Sequence, residues 1–429
     1  MIFDGMMEAM PLLKRLERRA DMEMGEIAQR AKEIVAEVRQ KGDEALFAYA
    51  KELDGTDYEK YPLELDEGEK KAAYHDVTEA QLSAIKTAIQ NLKAYHEHQK
   101  EEGYSHFGAG TRMFQRVLPI ARVGIYVPGG TASYPSSVLM NAVPAKIAGV
   151  EEIIMATPAK DGTINPLTIV AAVEAGVDRI FRMGGAHAIA ALAYGTASVP
   201  KVDKITGPGN AYVAAAKREV FGQVGIDSIA GPSEIVIVAD DSANPAYVAA
   251  DLLSQAEHDV LSAAILLTNQ RSVAAYVQVE LEKQLSRLMR SSIARQSMES
   301  YGGIIVLEDV DACIRMANRI APEHLELCIK DPYHFLDGVE NAGGIFIGNN
   351  TPEPLGDYLA GTNHVLPTGG TSRFSSPLGV YDFYKRQSVL EYSQDALRGV
   401  GNKVITLAQA EGLTAHGEAI RIRMEEEGI

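Results

Sequence analysis

The stretch Val123-Gly124-Ile125-Tyr126-Val127, followed by Pro128-Gly129-Gly130, sets the pattern from which we predict the fold. A short β-rich run ends in a glycine-containing turn, and a helical segment follows it. This alternation is typical of a parallel sheet whose strands are joined by crossover helices. It recurs along the chain in two series, with strands predicted at 123–127, 153–156, 180–183 and 204–206, then at 235–239, 264–268, 303–307, 325–329 and 344–347. Two such series predict two Rossmann-like α/β domains in tandem.

The chain looks different on either side of these strands. About the first hundred residues are predicted to be mostly helical, with apolar residues at helical spacing from Glu23 to Arg39. Beyond Thr368 the sequence turns polar, and a last helix is predicted near Thr414; this tail must pack on its own subunit or on a partner. We divide the chain into a helical N-terminal region (1–118), a first Rossmann-like domain (119–232), a second (233–375) and a C-terminal arm (376–429).

The composition excludes several classes of protein. The formal net charge is −17, with 58 acidic against 41 basic residues, so neither nucleic acid nor an anionic membrane is expected as a partner. The sequence shows no signal peptide and no bilayer-spanning run, which makes the cytoplasm the default expectation. Cys313 and Cys328 are the only cysteines, and their apolar surroundings predict core thiols rather than a nucleophile.

Two residues that could bind a metal ion lie close together at the end of the predicted helix 245–255. Gln255 and His258 are three apart, so on a helix they share a face and could reach one ion. Alone the pair is weak, since Gln is an uncommon zinc ligand and a solvated helix end is the alternative. With Asp357 from a turn-rich stretch and His416 from the tail, they would form a mixed nitrogen and oxygen site. Such a site suits zinc or another divalent transition ion better than magnesium.

Glycine-containing turns and one Glu-His pair supply the other candidates. The turns at 129–130, 184–185 and 207–209 follow predicted strands of one sheet, where open α/β sheets bind ligands, although none is a dinucleotide fingerprint and each could be a plain corner. The segment 231–234 is predicted in the cleft between the domains. Glu323 and His324 are predicted on a connecting loop as acid/base candidates, with a helix cap beside a surface His as the alternative.

In combination these motifs resemble the histidinol dehydrogenase family. The likeness extends from Gly42 to the tail, and so many long motifs in the right order make chance a poor explanation. The motifs are YVPGGTASYPSS at 126–137, GPGN at 207–210, AGPSE at 230–234, LSQAEHD at 253–259, APEHLE at 321–326, GTNHVLP at 361–367, RFSS at 373–376 and EGLTAH at 411–416.

The resemblance implies an aldehyde-dehydrogenase-like arrangement of two incomplete Rossmann-like domains. It also implies a zinc- and NAD-dependent oxidation of L-histidinol, through an enzyme-held aldehyde, to L-histidine, with one Zn²⁺ per subunit and two NAD reduced. By the family pattern, zinc is bound by Gln255, His258, Asp357 and His416, and the acid/base pair is Glu323 and His324. The substrate is contacted by the zinc ligands and His324, and in addition by Ser233, His364 and Glu411. The cofactor is contacted by Tyr126, His187 and Asn210.

The resemblance further implies a homodimer in which His416 and Glu411 reach the site from the partner subunit. Histidinol carries an imidazole and an amine, and a neutral Gln255 ligand would leave the ion free to accept both. His324 suits the base that takes the alcohol proton, and Glu323 the carboxylate that activates water on the aldehyde. The family usually has Gln where this chain has His187, so the cofactor contact at that position differs.

Two alternatives compete with this interpretation. A relative with the same zinc and NAD chemistry could act on another small alcohol, such as a sulfonated diol, but the Glu411 carboxylate would repel a sulfonate. A structural metal-binding dimer would have no use for Glu323 and His324. Histidinol oxidation therefore remains the prediction.

Overall fold

A computed structural model describes residues 1–19, 24–129 and 133–425. The predicted helix start at Glu23 and the turn residue Gly130 lie outside the described residues. The α-helices are α1 Gly5–Arg18, α2 Met24–Lys41, α3 Asp43–Tyr49, α4 Glu67–Ala72, α5 Glu79–His96, α6 Pro135–Ala148, α7 Pro166–Ala175, α8 Gly185–Tyr194, α9 Ala211–Val220, α10 Pro245–Ala256, α11 Arg271–Leu285, α12 Ser291–Tyr301, α13 Val310–Ile320, α14 Pro332–Leu336, α15 Glu353–Tyr358, α16 Gln394–Ala410 and α17 Thr414–Glu425.

Within the described residues, the strands form two parallel sheets and one antiparallel sheet. They are β1 Ile2–Asp4, β2 Ser105–Gly108, β3 Thr111–Pro119, β4 Arg122–Tyr126, β5 Glu152–Thr157, β6 Arg179–Arg182, β7 Lys204–Thr206, β8 Gly225–Ile226, β9 Glu234–Ala239, β10 Ala263–Thr268, β11 Gly303–Val306, β12 His324–Cys328, β13 Gly344–Ile347 and β14 Tyr384–Tyr392. The first parallel sheet has the order β6-β5-β4-β7-β8, and the second has the order β1-β11-β10-β9-β12-β13. The predicted α/β class with two parallel sheets is confirmed.

Each parallel sheet has one point at which its strand order reverses. In the first sheet β4 lies between β5 and β7, and in the second sheet β9 lies between β10 and β12. Crossover connections leave the sheet in opposite directions at such a point, which opens a crevice beside the strand ends. The crevices at the carboxyl ends of the β4/β7 pair and the β9/β12 pair are thus the places where this rule predicts ligands.

The strands of both sheets are nearly continuous apolar runs because helices cover the sheet faces. One core cluster joins the first sheet to α2, α8 and α9 through residues such as Ile34, Ile189 and Val213. In the second sheet Leu252 and Val277 pack on one face. Leu13 and Met316 pack on the other face. Among the described helices, none is long and apolar enough to cross a membrane.

The chain forms two compact units. The first comprises Met1–Gln99 and Ile120–Phe383 and contains both parallel sheets. The second comprises Lys100–Pro119 and Tyr384–Ile429, where β3 pairs with the whole of β14 and α16 packs against α17. The division into four segments remains a prediction. The sequence patterns did not indicate β1, β2, β3, β8 or β14.

A buried ion pair fixes the turn that follows β7. Lys217 of α9 bonds to Asp227 and donates to the carbonyl oxygen of Gly207 at 3.0 Å, and the other Asp227 oxygen accepts the Gly207 N–H at 2.7 Å. Gly207 has φ of +109°, and a Cβ there would lie 2.1 Å from the carbonyl oxygen of Tyr126. The ion pair therefore holds a turn that only glycine can make against the end of β4.

Replacing Lys217 with Met is expected to lower the free energy of unfolding by about 3–5 kcal/mol, because Asp227 would stay buried without its cation. Lys283→Met is the matched control, since its ion pair with Glu280 lies on the exposed surface of α11. Urea unfolding followed by circular dichroism compares the two variants. Equal unfolding midpoints for both would contradict the prediction.

Candidate active site

Glu323 and His324 lie at the amino end of β12, in the middle of the second sheet. α13 ends at Ile320, and Ala321 adopts a left-handed conformation with φ of +54° that turns the chain toward the strand. Glu323 ends the connecting loop, as predicted, whereas His324 is already the first residue of β12. Both side chains are buried. The pair thus sits on a rigid strand start next to β9 rather than on a mobile surface loop.

The backbone of Glu234, the first residue of β9, binds both members of the pair. Its N–H donates to Oε2 of Glu323 at 2.9 Å, and its carbonyl oxygen lies 3.1 Å from Nδ1 of His324. A carbonyl only accepts, so Nδ1 of His324 carries a hydrogen, and in the neutral ring Nε2 is the nitrogen that can accept a proton. Nε2 lies 3.8 Å from Oδ1 of Asp357, and no described residue hydrogen-bonds to it. The ring is therefore fixed in the orientation and tautomer of a proton acceptor.

Neighbouring charges make His324 a stronger base than a free histidine. Burial lowers the pKa of His324, but the charges of Glu323, Glu353 and Asp357 outweigh this effect and raise the pKa. Burial raises the pKa of Glu323, and attraction to His324 opposes that rise. Nδ1 of His324 lies 3.7 Å from Oε2 of Glu323, close enough for this coupling. The arrangement favours a positive charge on His324 when it accepts a proton.

Two carboxylates of α15 face His324. One ligand-capable atom each from His324, Glu353 and Asp357 lie within 4.8 Å of one another, a spacing that could hold a metal ion. Glu353 accepts from the Ser254 hydroxyl at 2.8 Å, and burial raises its pKa to about 7. Burial alone would raise the pKa of Asp357, but His324, His364 and His258 reverse the effect and lower it. Asp357 is thus the ionised carboxylate among these groups.

His364 packs beside Asp357. Its Nδ1 lies 3.0 Å from the carbonyl oxygen of Asp357, and its Nε2 lies 3.3 Å from the hydroxyl of Ser137 on α6. Burial lowers its pKa, with Asp357 opposing the change. His364 therefore links α15 to a helix of the first sheet and stays neutral more readily than a free histidine.

Gln255 and His258 lie at the carboxyl end of α10. The helix ends at Ala256, and a backbone bond of 3.3 Å from His258 N–H to the Gln255 carbonyl continues it by one turn. Gln255 is 1% exposed, and its Oε1 is a buried acceptor without a partner in the described chain. The surrounding protein lowers the pKa of His258, and attraction to Asp357 opposes this shift. Asp357 is thus electrostatically coupled to both His258 and His324.

The three predicted cofactor residues line one cavity of about 900 Å³ at the carboxyl ends of the first sheet. Tyr126 ends β4, His187 lies in the first turn of α8, and Asn210 precedes α9. Their positions flank the reversal point between β4 and β7. The wall is made by Arg30, Ile34, Leu53, Asp54, Tyr126, Gly129, Pro158, Ala159, Lys160, Gly185, Ala186, His187, Asn210 and Tyr212.

Groups of the protein itself occupy the amino end of α8. Asp54 accepts the Gly184 N–H at 2.8 Å, and the Tyr126 hydroxyl accepts the Gly185 N–H at 3.0 Å. Asp54 also lies 3.1 Å from Nε2 of His187, so Nδ1 of this buried ring is the nitrogen without a partner among the described contacts. His187 thereby offers one acceptor, where an amide would offer a donor and an acceptor.

The structure places the remaining candidates elsewhere. Ser233 is half-buried, directly before β9 and the Glu234 backbone that binds Glu323 and His324. Glu411 and His416 belong to the second compact unit, at the end of α16 and in the first turn of α17, and both are exposed. The other predicted site residues lie in the first unit.

Sequence reasoning missed several residues of the site. Glu234 and Glu353 each stand one or a few positions from predicted residues, yet a single carboxylate next to a strand or helix start carries no distinctive pattern. Asp54 and Arg19 are distant in sequence from every motif named above. Only tertiary contacts bring them to His187 and Glu234.

A family model described as histidinol dehydrogenase matches residues 17–424. The chain belongs to the histidinol dehydrogenase family. It is therefore an oxidoreductase, and the match covers every strand of the two parallel sheets except β1, together with Glu323, His324 and nearly all of the two C-terminal helices.

Individual members of the family agree over nearly the whole chain. A histidinol dehydrogenase of Geobacter metallireducens is 52% identical over 405 residues, which are 94% of this chain and 93% of that protein. One of Bacillus cereus is 51% identical over 427 residues, or 99% of each chain. A crystal structure of histidinol dehydrogenase from Elizabethkingia anophelis superposes with a TM-score of 0.91 at 35% identity, covering 99% of this chain and 98% of that one. The histidinol dehydrogenase fold thus extends over the full length compared.

Proposed function

We propose that this oxidoreductase converts L-histidinol to L-histidine, with NAD as oxidant and zinc as its resident metal. The observation that carries the proposal is the buried Glu323–His324 pair beside metal-capable side chains in a chain of this family. A metal site with a purely structural role does not require a histidine such as His324, whose Nδ1 is bound by a carbonyl and whose Nε2 is therefore the proton-accepting nitrogen.

Zinc would be held by Gln255, His258, Asp357 and His416. Three features support this set: the unpartnered Oε1 of buried Gln255 within the described contacts, the electrostatic coupling of His258 to Asp357, and the exposure of His416. Imidazole, carboxylate and amide donors match a transition ion better than magnesium. When bound, zinc would supply a Lewis-acidic centre that attracts the two nitrogens of histidinol. Ser233, His364 and Glu411 would complete the substrate contacts.

NAD would bind in the cavity that Tyr126, His187 and Asn210 line. Its volume of about 900 Å³ lies in the range of small-molecule and cofactor sites. Asn210 uses its side-chain oxygen to cap α9, which leaves its amide nitrogen as the donor available to a ligand. When bound, NAD would supply the hydride acceptor for both oxidation steps.

The acid/base pair divides the proton transfers. In the first step His324 Nε2 takes the proton of the alcohol, while the carbon loses a hydride and becomes an aldehyde. In the second step Glu323 takes a proton from water, so that the hydrated aldehyde can lose its own hydride and become the carboxylate. The first step releases one hydride and one proton. The second step consumes one water and releases one hydride and two protons, one of them from the carboxylic acid, and the oxidation of one histidinol therefore reduces two NAD.

We further propose a homodimer in which α16 and α17 carry Glu411 and His416 to the partner's site. An exposed histidine and carboxylate on a small unit without a large core support such a role. The buried cysteines are free thiols, which accords with the cytoplasm as the proposed location.

Purified protein should form two NADH per L-histidinol, and a chelator should abolish turnover because the zinc site would be emptied. Added Zn²⁺ should restore it, and NADH formation is read as absorbance. The control is the same protein treated with chelator already saturated with Zn²⁺. One NADH per histidinol, or turnover unaffected by metal removal, would contradict the proposal.

Glu323→Gln should slow the oxidation of histidinaldehyde by about 10²–10⁴-fold, because an amide cannot take a proton from water. The first NADH, from alcohol oxidation, should form at nearly the normal rate in a single turnover. Glu308→Gln, on the exposed surface, is the control. The assigned roles would be wrong if the variant oxidised the aldehyde normally and failed on the alcohol.

Mixing the inactive variants His258→Ala and His416→Ala should restore about a quarter of the wild-type activity, if arms are exchanged in a two-fold dimer. Half of the dimers would then be mixed, and each mixed dimer would hold one site with an intact body and an intact arm. Each variant alone, refolded in the same way, is the control. No recovery in a mixture shown by mass to contain mixed dimers would argue against arm exchange.

A further inference from the structure

One buried arginine of the N-terminal segment contacts the strand start that holds the acid/base pair. Arg19 follows α1, and its side chain is 2% exposed. Its Nη2 bonds to the side chain of Glu234 and donates to the carbonyl oxygen of Pro232 at 3.2 Å. One nitrogen thus binds both ends of the three-residue segment 232–234. We call the Arg19–Glu234 ion pair the clamp.

The clamped segment carries the groups that orient the pair. Glu234 supplies the N–H that binds Glu323 and the carbonyl that binds His324, at 2.9 and 3.1 Å. A displacement of the Glu234 backbone would therefore move both side chains together. The second Glu234 oxygen accepts the Gly369 N–H at 3.3 Å, and the Thr368 hydroxyl accepts the Gly231 N–H at 2.6 Å. The side-chain contacts of Glu234 and its neighbours thus converge on the entry into β9.

A buried ion pair is a costly way to join two elements. Apolar side chains of similar size hold such contacts as well or better, because they need no desolvation of charge. Burial raises the pKa of Glu234, and Arg19 is the cation that opposes the rise. Nη1 of Arg19 is also buried, without a partner among the described residues. These charges are better explained by a need to fix position than by a gain in stability.

We propose that Arg19 and Glu234 are positioning residues for the oxidation, which hold the backbone from which Glu323 and His324 are oriented. The inference rests on the proposed function of that acid/base pair. No hydrogen bond joins the charged atoms of the clamp to the side chains of Glu323 and His324 among the described contacts. The clamp therefore fixes their position through the Glu234 backbone, while the charge of Glu234 also acts on both groups.

The chain offers a test by chemical rescue. A cavity of about 190 Å³ lies beside Arg19, lined also by Pro232, Glu234 and Gly369, and is large enough for a guanidinium ion. Arg19→Ala should lower kcat by about tenfold to a hundredfold, because small misplacement of reacting groups is costly, while KM changes less than kcat. Tens of millimolar guanidinium should restore part of kcat, and Arg19→Lys should retain more activity than Arg19→Ala.

Arg15→Ala is the matched control, because Arg15 is an arginine of α1 that donates to the carbonyl of Ser300 and has no hydrogen bond to segment 232–234 among the described contacts. Zinc content and thermal unfolding are measured for every variant. If Arg19→Ala does not fold, the positioning role is tested with Arg19→Lys and Glu234→Gln, by the same comparison of the change in kcat with the change in KM. The proposed positioning role of the clamp is contradicted if kcat is unchanged in a folded variant, or if guanidinium restores kcat no better than sodium chloride does. A wild-type protein that does not oxidise histidinol refutes the proposed function instead.

Discussion

The two hydrogen bonds between the Glu234 backbone and the side chains of Glu323 and His324 are the constraint on which the rest of the site depends. They exist because β9 and β12 are adjacent parallel strands whose amino ends lie side by side, with His324 opposite Ile235. A backbone carbonyl at this place decides which nitrogen of His324 carries hydrogen. Strand pairing therefore sets the protonation chemistry, and the apolar core on both faces of the second sheet keeps the pairing in register.

The two sheets contribute opposite edges to the proposed reaction. The first sheet offers the carboxyl ends of its strands, where the large cavity lies beside the reversal between β4 and β7. The second sheet offers the amino ends of β9 and β12, where Glu234 and His324 start their strands. The general rule for open α/β sheets accounts for the first edge and not for the second. The site lies at the second edge because α10 runs antiparallel to the strands and brings Gln255 to their amino ends.

The sequence predicted the parallel strands well because a strand covered on both faces is a short apolar run between turns, as in 235–239 and 264–268. It did not predict β3 and β14, since their exposed faces alternate polar and apolar residues too weakly, as in Tyr384–Tyr392. Within the site, motif residues such as His187 and Asn210 were found, and the structure shows that they share a cavity. Asp54 and Arg19 were not found, because a lone charged residue acquires meaning only from a contact 133 or 215 positions away.

The carboxyl groups around His324 outnumber the cations that the protein places beside them. Glu326 lies behind the site on β12, and burial raises its pKa to about 9, while that of Glu353 rises to about 7. Glu326 accepts the backbone N–H of Glu353 at 2.8 Å, which holds the start of α15 next to the Glu326 carboxyl group. Several carboxyl groups this close hold protons that they would lose in water. A divalent ion bound by Asp357 and His258 would offset the same charge, and Gln255, as a neutral donor, would add a ligand without adding to the excess. Gln255, an uncommon zinc ligand, thus suits a place where burial and close spacing already disfavour further ionised carboxyl groups.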